Sequence, residues 1–242
     1  MKGKKSRIIH QTKQHHWRPC PLGKFWVSTH NRRRVSSRGL ASVHSVRGYC
    51  RSNQSHQDHL YRDDIEEIAE RHFKQFNATP LKPLKEFKGR DAKYDSMIQG
   101  WVKYWNDIFK SEDSLDPDLV KALIGSESSF DPKKWNHLRG KKSAYGLMQV
   151  TQDSVLLLKN PKELKDHFVN LTAADMKNPN LAVCAGIRWL FRKKQLAEAK
   201  LKHKITWREA IRDFKGYSPA DKKQKGMATF DRYLKELKGG KS

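Results

Sequence analysis

The chain has 242 residues, 36% hydrophobic and 31% charged, with 50 Lys and Arg against 26 Asp and Glu and a formal net charge of +24. That length carries one or two domains with a helical core, and three cysteines, Cys20, Cys50 and Cys184, exclude a disulfide scaffold. Such a charge attracts polyanions (nucleic acid, anionic lipid heads or acidic wall polymers) without choosing among them. No apolar run of signal-peptide or membrane-span length follows Met1, so the expectation is a protein without a standard export signal and without a membrane span.

The basicity is concentrated at the front. Residues 1–60 hold 13 Lys and Arg and one acidic residue, Asp58. Residues 1–57 show no sustained helical or strand period and read as a flexible basic segment. His10, His15, His16, Cys20, His30, His44, Cys50, His56 and His59 raise a zinc reading, but spacings such as His16-x-x-x-Cys20 match no strong zinc signature. A Cys20–Cys50 disulfide after export stays open. So does nucleic-acid binding through Arg32–Arg34, with Trp17, Phe25 and Trp26 nearby.

His59 to Phe76, HLYRDDIEEIAERHFKQF, has a helical pattern, and NATPLKPLK, with two prolines, then reads as a linker. The expected division is a basic N-terminal region over 1–76, a linker over 77–90 and a compact helical domain over 91–242. In that domain Tyr94, Met97, Ile98, Trp101, Val102, Trp105, Ile108 and Phe109 form one apolar stripe. Asp116-Pro117 supplies an N-cap and a first-turn proline for the next helix, which is expected to stop near Asp131-Pro132. A further helix opens near Thr151. Asn178-Pro179-Asn180 caps LAVCAGIRWLFRKK, and Thr206 with Glu209 makes a capping box.

Within ALIGSESSFDP, Leu119, Val120, Leu123 and Ile124 set a stripe that position 127 continues with a glutamate. A buried carboxylate is costly without a partner or a task. The helix C-terminus and apolar surroundings both disfavour the ionised form, so Glu127 is expected to be able to donate a proton near neutral pH. Proton donation to a leaving oxygen is what glycoside cleavage requires. A structural glutamate, capped by Ser126 or Ser128 or ion-paired, is the alternative.

Four motifs in order change that balance: Glu-Ser at 127–128, Gly-Leu-Met-Gln at 146–149, Asn-Pro-Asn at 178–180 and Ala-Gly-Ile-x-x-Leu at 185–190. Over roughly Leu115 to Tyr217 the chain resembles the catalytic domain of soluble lytic transglycosylases. The resemblance implies a mostly α, lysozyme-like fold, no metal or organic cofactor, and cleavage of the MurNAc–GlcNAc linkage of peptidoglycan glycan strands with closure of a 1,6-anhydro ring. It implies Glu127 as the single acid/base and Ser128 as its hydrogen-bonding support. Tyr145, Gly146, Leu147, Met148 and Gln149 would lie along the substrate groove, with Gly146 letting the backbone approach the sugar.

The family's late Ala-Tyr-Asn-Ala-Gly is here Asp213-Phe214-Lys215-Gly216-Tyr217, so Tyr217 would supply a hydroxyl from a shifted position. Asp131 and Asp153 keep a goose-type muramidase reading open, since a second carboxylate would position water. An inactive wall-binding or nucleic-acid-binding protein is the rival from another class. Without a signal peptide the expected setting is delivery by specialised secretion. The expected role is an antibacterial effector acting in the periplasm or at the wall, with a secretion-apparatus or adaptor partner on the N-terminal region and a cognate immunity protein.

Overall fold

The computed structural model describes residues 24–27, 30–35, 41–46, 49–52, 59–73, 79–138, 142–218, 220–221 and 224–240. Among them the chain is mostly α-helical, as expected, with short strands at its edges. The front contains four strands: β1 (Lys24–Val27), β2 (His30–Val35), β3 (Ala41–Val46) and β4 (Tyr49–Ser52). β1 pairs antiparallel with β4, with Val27 opposite Tyr49, and β2 pairs antiparallel with β3, with His30 opposite Val46. The expectation of an unstructured basic segment is thereby corrected for these residues. Here pairing across strands, rather than alternation of apolar residues, defines the secondary structure. Cys50 in β4 is disulfide-bonded, Cys184 is free and buried, and Cys20 lies outside the described residues, as do His10, His15, His16, Trp17 and His56.

The helical pattern expected from His59 begins as strand β5 (His59–Tyr61), which pairs in parallel with β9 (Phe168–Asn170). Helix α1 (Arg62–Ile68) and a π-helical turn at Ala69–Phe73 follow. Leu60, Ile65, Ile68 and Phe73 are buried in the same core as Trp101, Leu123 and Leu190. Leu84 and Phe87, from the expected linker, join them. The core thus extends N-terminal to residue 91, because the apolar residues of α1 and the proline-rich stretch have the helical domain as their burial surface.

The expected stripe forms α2 (Asp95–Phe109), with Ile98, Trp101, Val102 and Trp105 buried. Helix α3 (Pro117–Ser128) starts as its cap predicts, with Asp116 Oδ1 accepting the Asp118 N–H at 2.8 Å. It ends at Ser128, ahead of Asp131-Pro132 as expected: Ser129 and Phe130 turn left-handed at φ 54° and 60°, and Phe130 packs edge-on against Phe87.

Strands β6 (Trp135–Asn136), β7 (Ala144–Tyr145) and β8 (Val150–Thr151) then make a small antiparallel sheet. Helix α4 (Gln152–Leu157) is capped by Thr151, α5 (Pro179–Leu201) by Asn178, and α6 (Trp207–Phe214) by the Thr206–Glu209 box. Helix α7 (Lys225–Leu237) packs along α3, while α5 packs on α2 and α6. Asn180 ties three elements: its Oδ1 accepts the Trp101 indole N–H at 2.7 Å, and its Nδ2 donates to the Ile65 carbonyl at 3.3 Å.

A buried ionic group sits between α2 and α3. The Lys121 ammonium lies 2.9 Å from Asp91 Oδ2 and 2.7 Å from Asp95 Oδ1, all three residues being buried. Asp91 Oδ2 also accepts the Leu84 N–H at 2.9 Å. Burial pushes the Asp95 carboxyl above its ordinary range, against the pull of Lys121.

Candidate active site

Glu127 stands in the last turn of α3 with its side chain 18% exposed. It is not surrounded by apolar groups alone. The Lys215 ammonium, on a side chain 4% exposed, is hydrogen-bonded to Glu127 Oε1 and lies 3.1 Å from Ser126 Oγ. Lys215 follows α6, and the Lys215 N–H donates to the Ile211 carbonyl at 2.9 Å, so the cation is delivered from a closed helical end. In the sequence Lys215 is only one residue of the altered Asp213–Tyr217 stretch, and no local signal pairs it with a glutamate 88 residues earlier.

The expected neighbours are arranged differently from what the resemblance implied. Ser128 is buried, and its hydroxyl donates to the Ile124 carbonyl at 3.2 Å, one turn back in its own helix. It therefore follows the usual bond of a helical serine, and Ser126 takes the place beside the Glu127–Lys215 pair. The Tyr217 hydroxyl accepts the Gly226 N–H at 3.2 Å, which ties the end of α6 to the start of α7. Phe214 is half-buried against the core.

The Gly146–Gln149 segment divides into two parts. Leu147 and Met148 are fully buried. A Cβ at Gly186 would fall 2.4 Å from Met148 Sδ, so this methionine is packed against the α5 backbone and does not line an open surface. Gly146 adopts φ 73°, and a Cβ there would lie 1.9 Å from the Met176 carbonyl oxygen. The Met176 backbone thus makes a close approach that itself requires glycine at 146. Tyr145 and Gln149 remain half-buried. Gln149 Nε2 donates to the carbonyls of Lys134 (3.1 Å) and Gly146 (2.9 Å).

The two acids that kept a muramidase reading open have local tasks. Asp131 Oδ1 accepts the Lys133 N–H at 2.9 Å in an exposed turn, and Asp153 occupies the first turn of α4, where the helix dipole favours an acid. Among the described residues no group of three or more His, Cys, Asp and Glu is placed to hold a metal ion. No helix of the described residues is long and apolar enough to cross a membrane.

The chemistry available is that of one carboxylate held by one ammonium at the end of a helix. It offers proton exchange on an oxygen and charge stabilisation. Residues 105–206, from α2 to the start of α6, match the Transglycosylase SLT domain family, in keeping with the mostly helical, lysozyme-like fold expected. No curated protein matches the chain. A solved structure, the 70 kDa soluble lytic transglycosylase of Escherichia coli, is similar at 14% identity and a TM-score of 0.32, over 75% of this chain and 32% of that one.

Proposed function

We propose that the chain is a peptidoglycan lytic transglycosylase in which Glu127 is the single acid/base. The observation that carries this reading is Glu127 itself: a partly buried carboxylate in the last turn of α3, inside the stretch matched to the SLT domain family. Glu127 protonates O4 of GlcNAc, which departs with that sugar as its bond to C1 of MurNAc breaks. It then removes the proton of the muramic 6-hydroxyl as that oxygen bonds to C1 and closes the 1,6-anhydro ring. No water is added, so a second carboxylate to activate one is not needed. Lys215 holds Oε1 and fixes the carboxylate's orientation, which leaves Oε2 as the oxygen that exchanges the proton. The ammonium also stabilises the carboxylate that forms when the proton is given away.

The setting we propose is the periplasm or cell wall, reached by specialised delivery of an antibacterial effector. The basic front, with 13 of the 50 Lys and Arg in residues 1–60, would meet an anionic wall or a delivery partner. The disulfide at Cys50 suits an oxidising compartment. A cognate immunity protein would follow from that role. A competing reading, a wall-binding domain without turnover, draws on the Lys215 contact, which occupies Glu127 Oε1.

Digestion of purified sacculi separates these readings. Anhydro-muropeptides identified by mass from the wild-type protein, and their loss in Glu127→Gln, are the expected result. Reducing-end products would make it a hydrolase. Binding without product would make it the wall-binding domain.

A further inference from the structure

Trp135 and Tyr145 face each other across β6 and β7 as directly paired residues. Opposed residues of an antiparallel pair project from one face of the sheet. Their rings are stacked, with centroids 6.1 Å apart and planes 10° apart, and the His137 ring meets Trp135 edge-on at 4.9 Å. Trp135 is nevertheless 56% exposed, and His137 is exposed beside it. The strand does not drift: the Lys134 carbonyl accepts both the Gly146 N–H (2.9 Å) and Gln149 Nε2 (3.1 Å), which fixes β6 to the turn after β7. Lys133 and Lys134 lead into the strand and are exposed.

We infer that this face is a glycan-binding subsite for the anionic, peptide-bearing strands of peptidoglycan, with Trp135 as the residue on which a sugar ring stacks. The inference rests on the reading of the substrate given above. A flat aromatic face presents apolar area that matches the C–H face of a pyranose, and it is pre-oriented, so little ordering cost opposes binding. Lys133 and Lys134 then complement the carboxylates that muramic acid and its stem peptide carry, which a neutral sugar polymer lacks. Aromatic rings beside lysines also suit single-stranded nucleic acid. The glycan is favoured because β6 and β7 lie within the stretch matched to the SLT domain family and are bonded to the Gly146–Gln149 turn.

The test uses the full chain carrying Glu127→Gln, so that binding is read without turnover, alone and combined with Trp135→Ala, Trp135→Phe or the pair Lys133→Glu and Lys134→Glu. The probes are purified sacculi, soluble chitotetraose as a neutral sugar chain, and oligo(dT), with melting temperature recorded for every variant. Trp135→Ala is expected to weaken binding to sacculi and to chitotetraose by roughly tenfold, the scale of an aromatic contact, and Trp135→Phe to restore most of it. Charge reversal is expected to weaken binding to sacculi and leave chitotetraose unchanged. Equal glycan binding by Trp135→Ala and its parent overturns the proposal, as does absence of glycan binding by the parent. Loss confined to oligo(dT) assigns the face to nucleic acid instead. The acid/base reading is judged separately, on the products released by the wild-type protein.

Discussion

Replacing Lys121 with methionine keeps an unbranched side chain of similar length and deletes the charge that Asp91 and Asp95 share. Both carboxylates are buried, at 2.9 and 2.7 Å from the ammonium. Removing one partner from a buried ionic group typically costs about 3–5 kcal/mol, because the remaining charge is stranded. In a chain of this size each kcal/mol moves the melting temperature by about 2–4 °C, so a fall of roughly 6–20 °C at pH 8 is expected. Circular dichroism melts read it directly. The pH dependence has a definite sign. Burial already raises the Asp95 carboxyl, and losing Lys121 removes the opposing attraction. A folded-state value above the unfolded one means that the folded state gains protons, so the variant recovers stability as pH falls and its deficit is largest at high pH. The gap to wild type should narrow between pH 8 and pH 5. A melting temperature within about 2 °C of wild type at pH 8, or a gap that widens towards acid, would refute the reasoning.

Glu127→Gln should lower sacculus digestion by roughly 10²–10⁴-fold. It should also lower the melting temperature modestly, because the Lys215 ammonium loses its counter-charge in a site where that side chain is 4% exposed. Gly146→Ala should destabilise far more than Gly89→Ala. Both glycines have positive φ, but a Cβ at 146 meets the Met176 carbonyl at 1.9 Å and one at 89 meets nothing within 4 Å. The second should cost about 1–2 kcal/mol by backbone strain alone, and equal costs in urea titrations would show that the Met176 contact does not matter. A fragment spanning 80–242 removes Leu60, Ile65, Ile68 and Phe73 from the core, so it should melt early or bind a dye for exposed apolar surface. A fragment as stable as the whole chain would restore a boundary near residue 80.

The helices were legible because their signals are local. Asp116-Pro117, Asn178-Pro179 and Thr206…Glu209 each satisfy helix N–H groups from within a few residues, and the structure uses all three. The stripe of α2 was legible for the same reason, its period being that of its own helix. What the sequence hid depends on distant partners. β5 looks like the start of a helix until it meets β9, more than 100 residues later. The strands β1 to β4 mix apolar pairs such as Val27↔Tyr49 with polar ones such as Asn31↔Ser45, without a sustained alternation to announce them. At the candidate site, Glu127 was visible as a misfit on an apolar face. Its partner was not, since nothing short of the fold brings Lys215 to Ser126 and Glu127. Met148 and Leu147 sit within a motif of polar promise but obey ordinary burial, because their faces meet α5 and the core.

The parallel pairing of β5 with β9 sets an order of events during synthesis. Leu60 pairs with Val169, so β5 leaves the ribosome long before the strand that completes it. At about 5–20 residues per second, the intervening stretch takes roughly 5–20 s to appear. Throughout that interval β5 has no partner strand, and the apolar side of α1 waits longer still, because the core that buries it includes Leu190 of α5. The nascent protein therefore carries the 13 Lys and Arg of residues 1–60 and an uncovered hydrophobic helix together. In that window it is most open to a chaperone or an acidic partner, and slower translation between β5 and the end of α5 should lower the yield of folded protein more than slower translation after α5.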